Sequence, residues 1–368
     1  MNKFFLLIVI FIQITVSNIS IFSQFSGGLG TEIDPYRISR REDMEELADS
    51  VRNVFVASSR NWSSKKYFIV TNDITDSVRT VIGVWDPNNM NTQFCGHFDG
   101  QGYKITVAIT FDFNQTVVLG LFGQVRSCVI KNVVVDGYVS GVSSIPFALD
   151  ASSGAGIVGD IRTSSSSAWN FDPYVTISNC VNNANITLGR MVGGVVGDVS
   201  VSYRDGVGEI ISCYNNGKIL GVSQTAQFGI GAGGIAGNVL VNTTTSNCIN
   251  NGDVVISKNG LGGIAGGSHY NNNIFSNNLN NGSILGCEAG GIVGNADMGQ
   301  IYNNINYGFV KGDNIIGGVV GISRSAAIIN NSNFGVVVGD SETGCIIGRV
   351  GGIIINNHYD KQMCGEEE

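Results

Sequence analysis

The chain has 368 residues, of which 51 are glycine and four proline, and a formal net charge of −8. Charged residues make up 14% and apolar residues 43%, which excludes a disordered chain, since that needs more charge and less apolar surface. No basic stripe is present, which excludes nucleic acid as a partner. The glycine density excludes long helices from the region it dominates, because each interior Gly costs a helix about 1 kcal/mol.

Residues 1–23 read as a secretory signal. Lys3 gives the positive start, Phe4 to Ile14 is an apolar run broken only at Gln13, and Ser17 to Ser23 is small and polar enough to hold a cleavage site after Ser23. The run is shorter than the roughly 20 residues a membrane span needs, and no other stretch is long enough, so the mature chain is expected outside the cell or on its surface without a span. Residues 24–65 read as an N-terminal cap. Ser39 followed by Glu42 makes a capping-box pattern, and Met44, Leu47, Ala48 and Val51 share one face at helical spacing. An amphipathic helix ahead of a repeat array seals its open end.

Residues 66–113 read as the first coils, with strands at Tyr67–Val70 and Ile105–Phe111 and turns at Asp99-Gly100 and Gln101-Gly102. His97 and Asp99 suggest an acid–base pair, but Asp before Gly at a bend more often bonds its own backbone, and Asp136 before Gly137 reads the same way. A phrase G-G-[IV]-[AV]-G then recurs. Its last Gly falls at 123, 159, 197, 237, 266, 294, 321 and 348, in steps of 36, 38, 40, 29, 28, 27 and 27. Periods of about 20–50 residues mark solenoids, propellers or arrays. A propeller blade needs about 40–45 residues and four strands, so a 27-residue unit with two short apolar phrases suits one coil of a parallel solenoid, like residues stacking on like at about 4.8 Å. The third position is β-branched throughout (Ile157, Val195, Ile235, Ile264, Ile292, Val319, Ile346), as pleated strands favour.

Between these copies runs N-x-x-N-[NYF]-G-x-[IV], clearest at Asn247–Val254, Asn277–Ile284 and Asn303–Val310. Asn182, Asn215, Asn250, Asn280, Asn306 and Asn333 share one position, and in register their amides form a ladder that satisfies polar groups at a tight bend. The glycines that follow, 217, 252, 282, 308 and 335, are expected to take positive φ at a corner. Coils between Gly123 and Gly237 are longer, with the excess in 160–175, 198–208 and 222–231. Insertions in a solenoid map to rim loops that often bind. The candidate contact residues there are Trp169, Phe171, Tyr174, Tyr203 and Phe228, whose rings can stack on sugars or fill a partner's pocket.

The chemistry-bearing residues are sparse. Of the eight cysteines, Cys180, Cys213 and Cys248 share one repeat position. Stacked Cβ vectors are parallel and about 4.8 Å apart, whereas a disulfide needs about 3.5–4.5 Å and convergence, so buried free thiols are expected. No C-x-x-C exists, and His97, His269 and His358 lack partners at ligand spacing, so neither metal nor cofactor is indicated. The close basic–acidic pairs are Arg204 with Asp205 and Lys311 with Asp313, at expected turns. No catalytic constellation emerges.

The G-G-I-V-G and N-C-x-N-x-G phrases, as at Asn179–Asn182 and Asn247–Asn250, resemble the GLUG repeat of bacterial surface proteins. They also resemble the β-helical region upstream of the catalytic domain in M26 immunoglobulin A1-type peptidases. Gly30-Thr31-Glu32-Ile33-Asp34-Pro35-Tyr36 resembles the G-T-x-x-D-P-Y opening of such secreted proteins, and Phe98–Ile105 resembles their F-D-G-x-G-x-x-I first-coil phrase. Asn356–Met363 resembles their closing phrase, after which more chain usually follows. The peptidase zinc motif H-E-x-x-H is missing, so that activity does not carry over. The expectation is an all-β, parallel, right-handed β-helix over 66–363 with an N-terminal capping helix and an acidic tail at 364–368. It is monomeric or part of a longer polypeptide, and serves as a non-enzymatic adhesin-like or stalk module for glycan or extracellular protein. The competing classes are a carbohydrate-active β-helix enzyme and the spacer of a larger peptidase.

Overall fold

The computed structural model describes residues 25–52, 61–84, 86, 92–112, 118–142, 153–163, 173–201, 206–221, 231–256 and 260–364. The signal segment 1–23 and residues 365–368 of the expected tail lie outside these. The described chain is a parallel β-solenoid. One coil reads Thr243–Ser246, Ile249–Asn250, Val254–Ile256, Gly260–Gly262 and Ala265–Ser268, and the next begins at Ile274–Ser276 on top of the first. Corresponding strands build four sheets. The first holds eleven strands, from Tyr36–Ile38 to Ile353–Ile355. The second holds sixteen, in two columns that diverge from the long strand Val134–Val142. The third and fourth hold eight each.

The stacking is direct. Val195 N–H donates to the Ile235 carbonyl, Ile235 to Ile264, Ile264 to Ile292 and Ile292 to Val319, at 2.8–3.1 Å. All five are fully buried. They sit at the bend between the third and fourth sheets, not inside a strand as their β-branched side chains suggested.

The two repeat phrases explain each other. Asn182 Nδ2 donates to Asn215 Oδ1, and the chain of amides continues through Asn250, Asn280 and Asn306 to Asn333 at 2.7–2.8 Å. Each Nδ2 also reaches the carbonyl two residues on, as Asn250 does to Gly252 at 2.8 Å. The amides occupy the space left by the second Gly of the other phrase: a Cβ at Gly234 would lie 2.1 Å from Asn250 Cγ, and one at Gly263 would lie 2.3 Å from Asn280 Cγ. A buried amide column needs room and partners, and the missing side chains supply the room.

The glycine after each Asn does not take positive φ. A Cβ there would meet the carbonyl of the coil below, at 2.0 Å for Gly252 over Gly217, so close stacking is what excludes a side chain. Positive φ falls three residues before the ladder Asn, at Asn179, Ser212, Asn247, Asn277, Asn303 and Asn330, with φ between 53° and 57°. Asn tolerates the left-handed region better than most residues. Asp136 lies within a strand and pairs with Lys104 Nζ at 2.9 Å instead of its own backbone.

The helix spans Arg41–Arg52 and buries Met44, Leu47, Ala48 and Val51, packing on the first strands of two sheets, Tyr36–Ile38 and Ile74–Val78. The capping partner is Asp43, not Glu42. The helix starts one residue later than the pattern implied, so Asp43 Oδ2 accepts from Ser39 N–H at 2.8 Å and from Ser26 Oγ at 2.6 Å. Rings dominate the core at this end, with Phe94 and Phe122 4.9 Å apart and Phe98 and Phe122 5.1 Å apart. No helix among the described residues is long and apolar enough to cross a membrane.

Candidate functional site

Four of the five candidate contact residues, Trp169, Phe171, Tyr203 and Phe228, lie outside the described residues. Tyr174 opens a strand of the first sheet and is 59% exposed.

The described residues enclose a cleft of about 310 Å³ at the capped end, lined by Glu32, Pro35, Tyr67, His97, Asp99 and Lys131 among others. It forms where two segments singled out in the sequence meet. Gly30–Tyr36 brings Glu32 and Pro35. This loop is pinned by Leu29 N–H and Thr31 N–H on the Asp34 carbonyl, at 3.0 and 3.2 Å, and by Tyr67 N–H on the Gly30 carbonyl at 3.1 Å. Gly30, at φ +74°, lies under the Tyr36 ring, which a Cβ would meet at 2.2 Å. The Phe98–Ile105 phrase brings Asp99. Tyr67 and His97 stand on successive strands of the first sheet and stack at 4.4 Å, 8° from parallel.

Asp99 makes the expected turn bond, accepting Gln101 N–H at 2.9 Å, and it also accepts from Asn132 Nδ2 at 2.9 Å and lies 3.3 Å from Lys131 Nζ. Burial works to raise its pKa, but the bonds from Asn132 and Gln101 and the Lys131 charge together hold it below the ordinary value. Asp99 is therefore a firmly ionised acceptor, unsuited to donate a proton at neutral pH.

A second cluster was missed in the sequence. Asp160 and Asp198 pair in register on successive coils of the fourth sheet. Arg162 bridges them, with Nε 2.9 Å from Asp160 and Nη2 3.1 Å from Asp198. Gln124 donates to Asp160 at 2.9 Å and Asn238 to Asp198 at 2.8 Å. Burial raises both carboxyls; Asp198 is pushed up to about 7, first by burial and then by the Asp160 charge. The signal was present: Gln124, Asp160, Asp198 and Asn238 each follow the last Gly of the phrase. Of the close basic–acidic pairs noted at turns in the sequence, Arg204 and Asp205 lie outside the described residues, and Lys311 and Asp313 form no ion pair among them. Both aspartates are 2% exposed, and their oxygens are engaged by Arg162, Gln124 and Asn238. The arrangement ties four coils together and leaves neither carboxylate open to substrate.

The other groups have structural surroundings. His269 Nδ1 lies 2.9 Å from Asp297 Oδ2, and burial, with Arg324 nearby, lowers its pKa. Cys180, Cys213 and Cys248 are buried free thiols set against carbonyls two residues back at 3.3–3.4 Å. In later coils Asn278, Asn304 and Asn331 take the same place and form a second amide ladder at 2.9–3.0 Å that ends at Asn357. Asn61, in an N-x-S triplet, is buried, with Nδ2 on the Gln93 carbonyl at 2.5 Å.

No family model matches the chain, and no curated protein matches it. Among solved structures the chain is similar to a candidate immunoglobulin A1 protease from Bacteroides ovatus, at 17% identity and a TM-score of 0.56, covering 92% of this chain and 87% of that one. At that identity the likeness establishes the fold, a parallel β-solenoid shared along nearly the whole of both chains.

Proposed function

We propose that the protein is an exported, non-enzymatic repeat module, a stalk or adhesin-like part that presents a contact surface to glycan or extracellular protein. The observation that supports this best is the division of labour along the molecule. The buried asparagines of the repeat bond to each other in ladders, which suits a rigid support. A solvent-facing cleft with stacked rings and ionised side chains lies at the capped end, as ligand sites are commonly built. A second reading, the non-catalytic spacer of a larger immunoglobulin A1-type peptidase, draws on the fold likeness to the Bacteroides ovatus protein.

The test is to express the full chain with its leader, locate it, and screen it against glycan and host-protein arrays beside a reducing-sugar release assay. Export, with N-terminal sequencing placing cleavage after Ser23, and saturable binding without sugar release is the expected result. Sugar release would favour the enzyme class, and retention in the cytoplasm would overturn the reading.

A further inference from the structure

We propose that the cleft between Glu32 and Lys131 is a saccharide subsite selective for an uncharged pyranose. This rests on the binding-module reading above and assigns its ligand class and its residues.

Three observations carry it. The volume of about 310 Å³ lies at the lower end of the roughly 300–1,000 Å³ range of small-molecule sites and suits one or two sugar rings. Tyr67 and His97 both line the cleft and are partly exposed. They cover one face of each other at 4.4 Å, so a ligand meets the remaining face and the ring edges, with hydrogen-bonding side chains close by. Pyranoses are recognised this way: C–H edges lie on an aromatic face while hydroxyls bond to fixed acceptors and donors. The side chains are also held in advance of any ligand. Asp99 is fixed by Asn132 and Gln101, and the Glu32 loop by the Asp34 and Gly30 carbonyls. Little ordering is then left to oppose binding.

Charge decides which sugar. The Lys131 ammonium is offset by Asp99 at 3.3 Å. Glu32 is exposed and has no ion-pair partner among the described residues. Among the lining side chains the excess charge is therefore negative, and it repels the carboxylate of a sialic or uronic acid. A neutral hexose or N-acetylhexosamine meets no such opposition.

The full chain, with Tyr67→Ala, His97→Ala and Glu32→Gln variants, is titrated with neutral oligosaccharides and with sialylated and uronate oligosaccharides. All three positions are on the outer surface, and unchanged thermal melting checks that each variant folds. The expected result is binding of neutral glycans by the parent, weakened about tenfold or more in Tyr67→Ala and His97→Ala, with acidic glycans gaining affinity only in Glu32→Gln. Equal binding of neutral glycans by all folded variants would overturn the subsite and leave the binding-module reading standing, as would a chain that binds host protein but no glycan. Preference of the parent for acidic glycans would overturn the selectivity argument. Absence of any glycan or protein ligand would remove both.

Discussion

Replacing Asn250 by Ala should destabilise the solenoid far more than the same change at its neighbour Asn251. Asn250 is fully buried. It donates to Asn280 Oδ1 and to the Gly252 carbonyl, both at 2.8 Å, and accepts from Asn215 Nδ2 at 2.8 Å and from Gly252 N–H at 3.3 Å. Truncation removes all four bonds. Asn215 Nδ2 keeps the Gly217 carbonyl at 2.9 Å, but Asn280 Oδ1 loses its donor inside the buried core. A stranded buried acceptor costs about 1–3 kcal/mol, and the small cavity left by the amide adds to it, so the total should reach about 3 kcal/mol. Asn251 belongs to a parallel ladder on the outside, donating to Asn216 Oδ1 and accepting from Asn281 Nδ2, each at 2.8 Å. Water replaces those bonds, so Asn251→Ala should stay within about 0.5 kcal/mol. Urea titration followed by circular dichroism reads the difference. Amide hydrogen exchange reads its position, which matters because repeat arrays can open locally. Exchange should accelerate in the coils holding Asn215 to Asn280. Equal midpoints for the two variants would refute the claim that the inner ladder holds the coils together.

Gly234→Ala should prevent native stacking, because its Cβ would lie 2.1 Å from Asn250 Cγ and 2.4 Å from the Gly263 carbonyl. Gly102→Ala has open space around its Cβ but φ +78° and should cost about 1 kcal/mol of backbone strain; melting temperatures of the two would separate crowding from strain. Asp198 faces Asp160, Arg162 and Asn238, and its carboxyl is raised from the ordinary 3.8 to about 7. The folded chain therefore binds the extra proton between those values. The contribution of Asp198 is fully present below about pH 4 and is lost as pH rises through 7, by at most about 1.4 kcal/mol per unit. Urea midpoints at several pH values should show this slope in the parent, and it should shrink in Asp198→Asn. Cys180, Cys213 and Cys248 should resist a thiol reagent in the native chain and react once it is unfolded, since burial raises Cys180 and Cys248 well above the usual thiol range and all three are enclosed.

Much of the architecture could be read from the sequence because a solenoid repeats its contacts. The same neighbour recurs at each coil, so periodicity in the chain becomes stacking in space, and the amide ladder, the burial of the cysteine column and the buried helix face followed from spacing alone. Local patterns were less reliable where two frames compete. The helix start moved by a residue, so that Asp43 and not Glu42 caps it, and positive φ fell on Asn247 and its equivalents and not on Gly252. Neither the collision of a Gly234 side chain with Asn250 nor the contact of Arg162 with Asp198 is a neighbour relation along the chain. Asp160 and Asp198 are 38 residues apart and touch the same guanidinium only because one coil lies on the next. The cleft depends still more on assembly: Glu32, Tyr67, His97 and Lys131 come from four separate passes of the backbone, and only packing decides that they face one volume. The chain alone determined what repeats; the folded structure decided which unlike residues the repetition brings together.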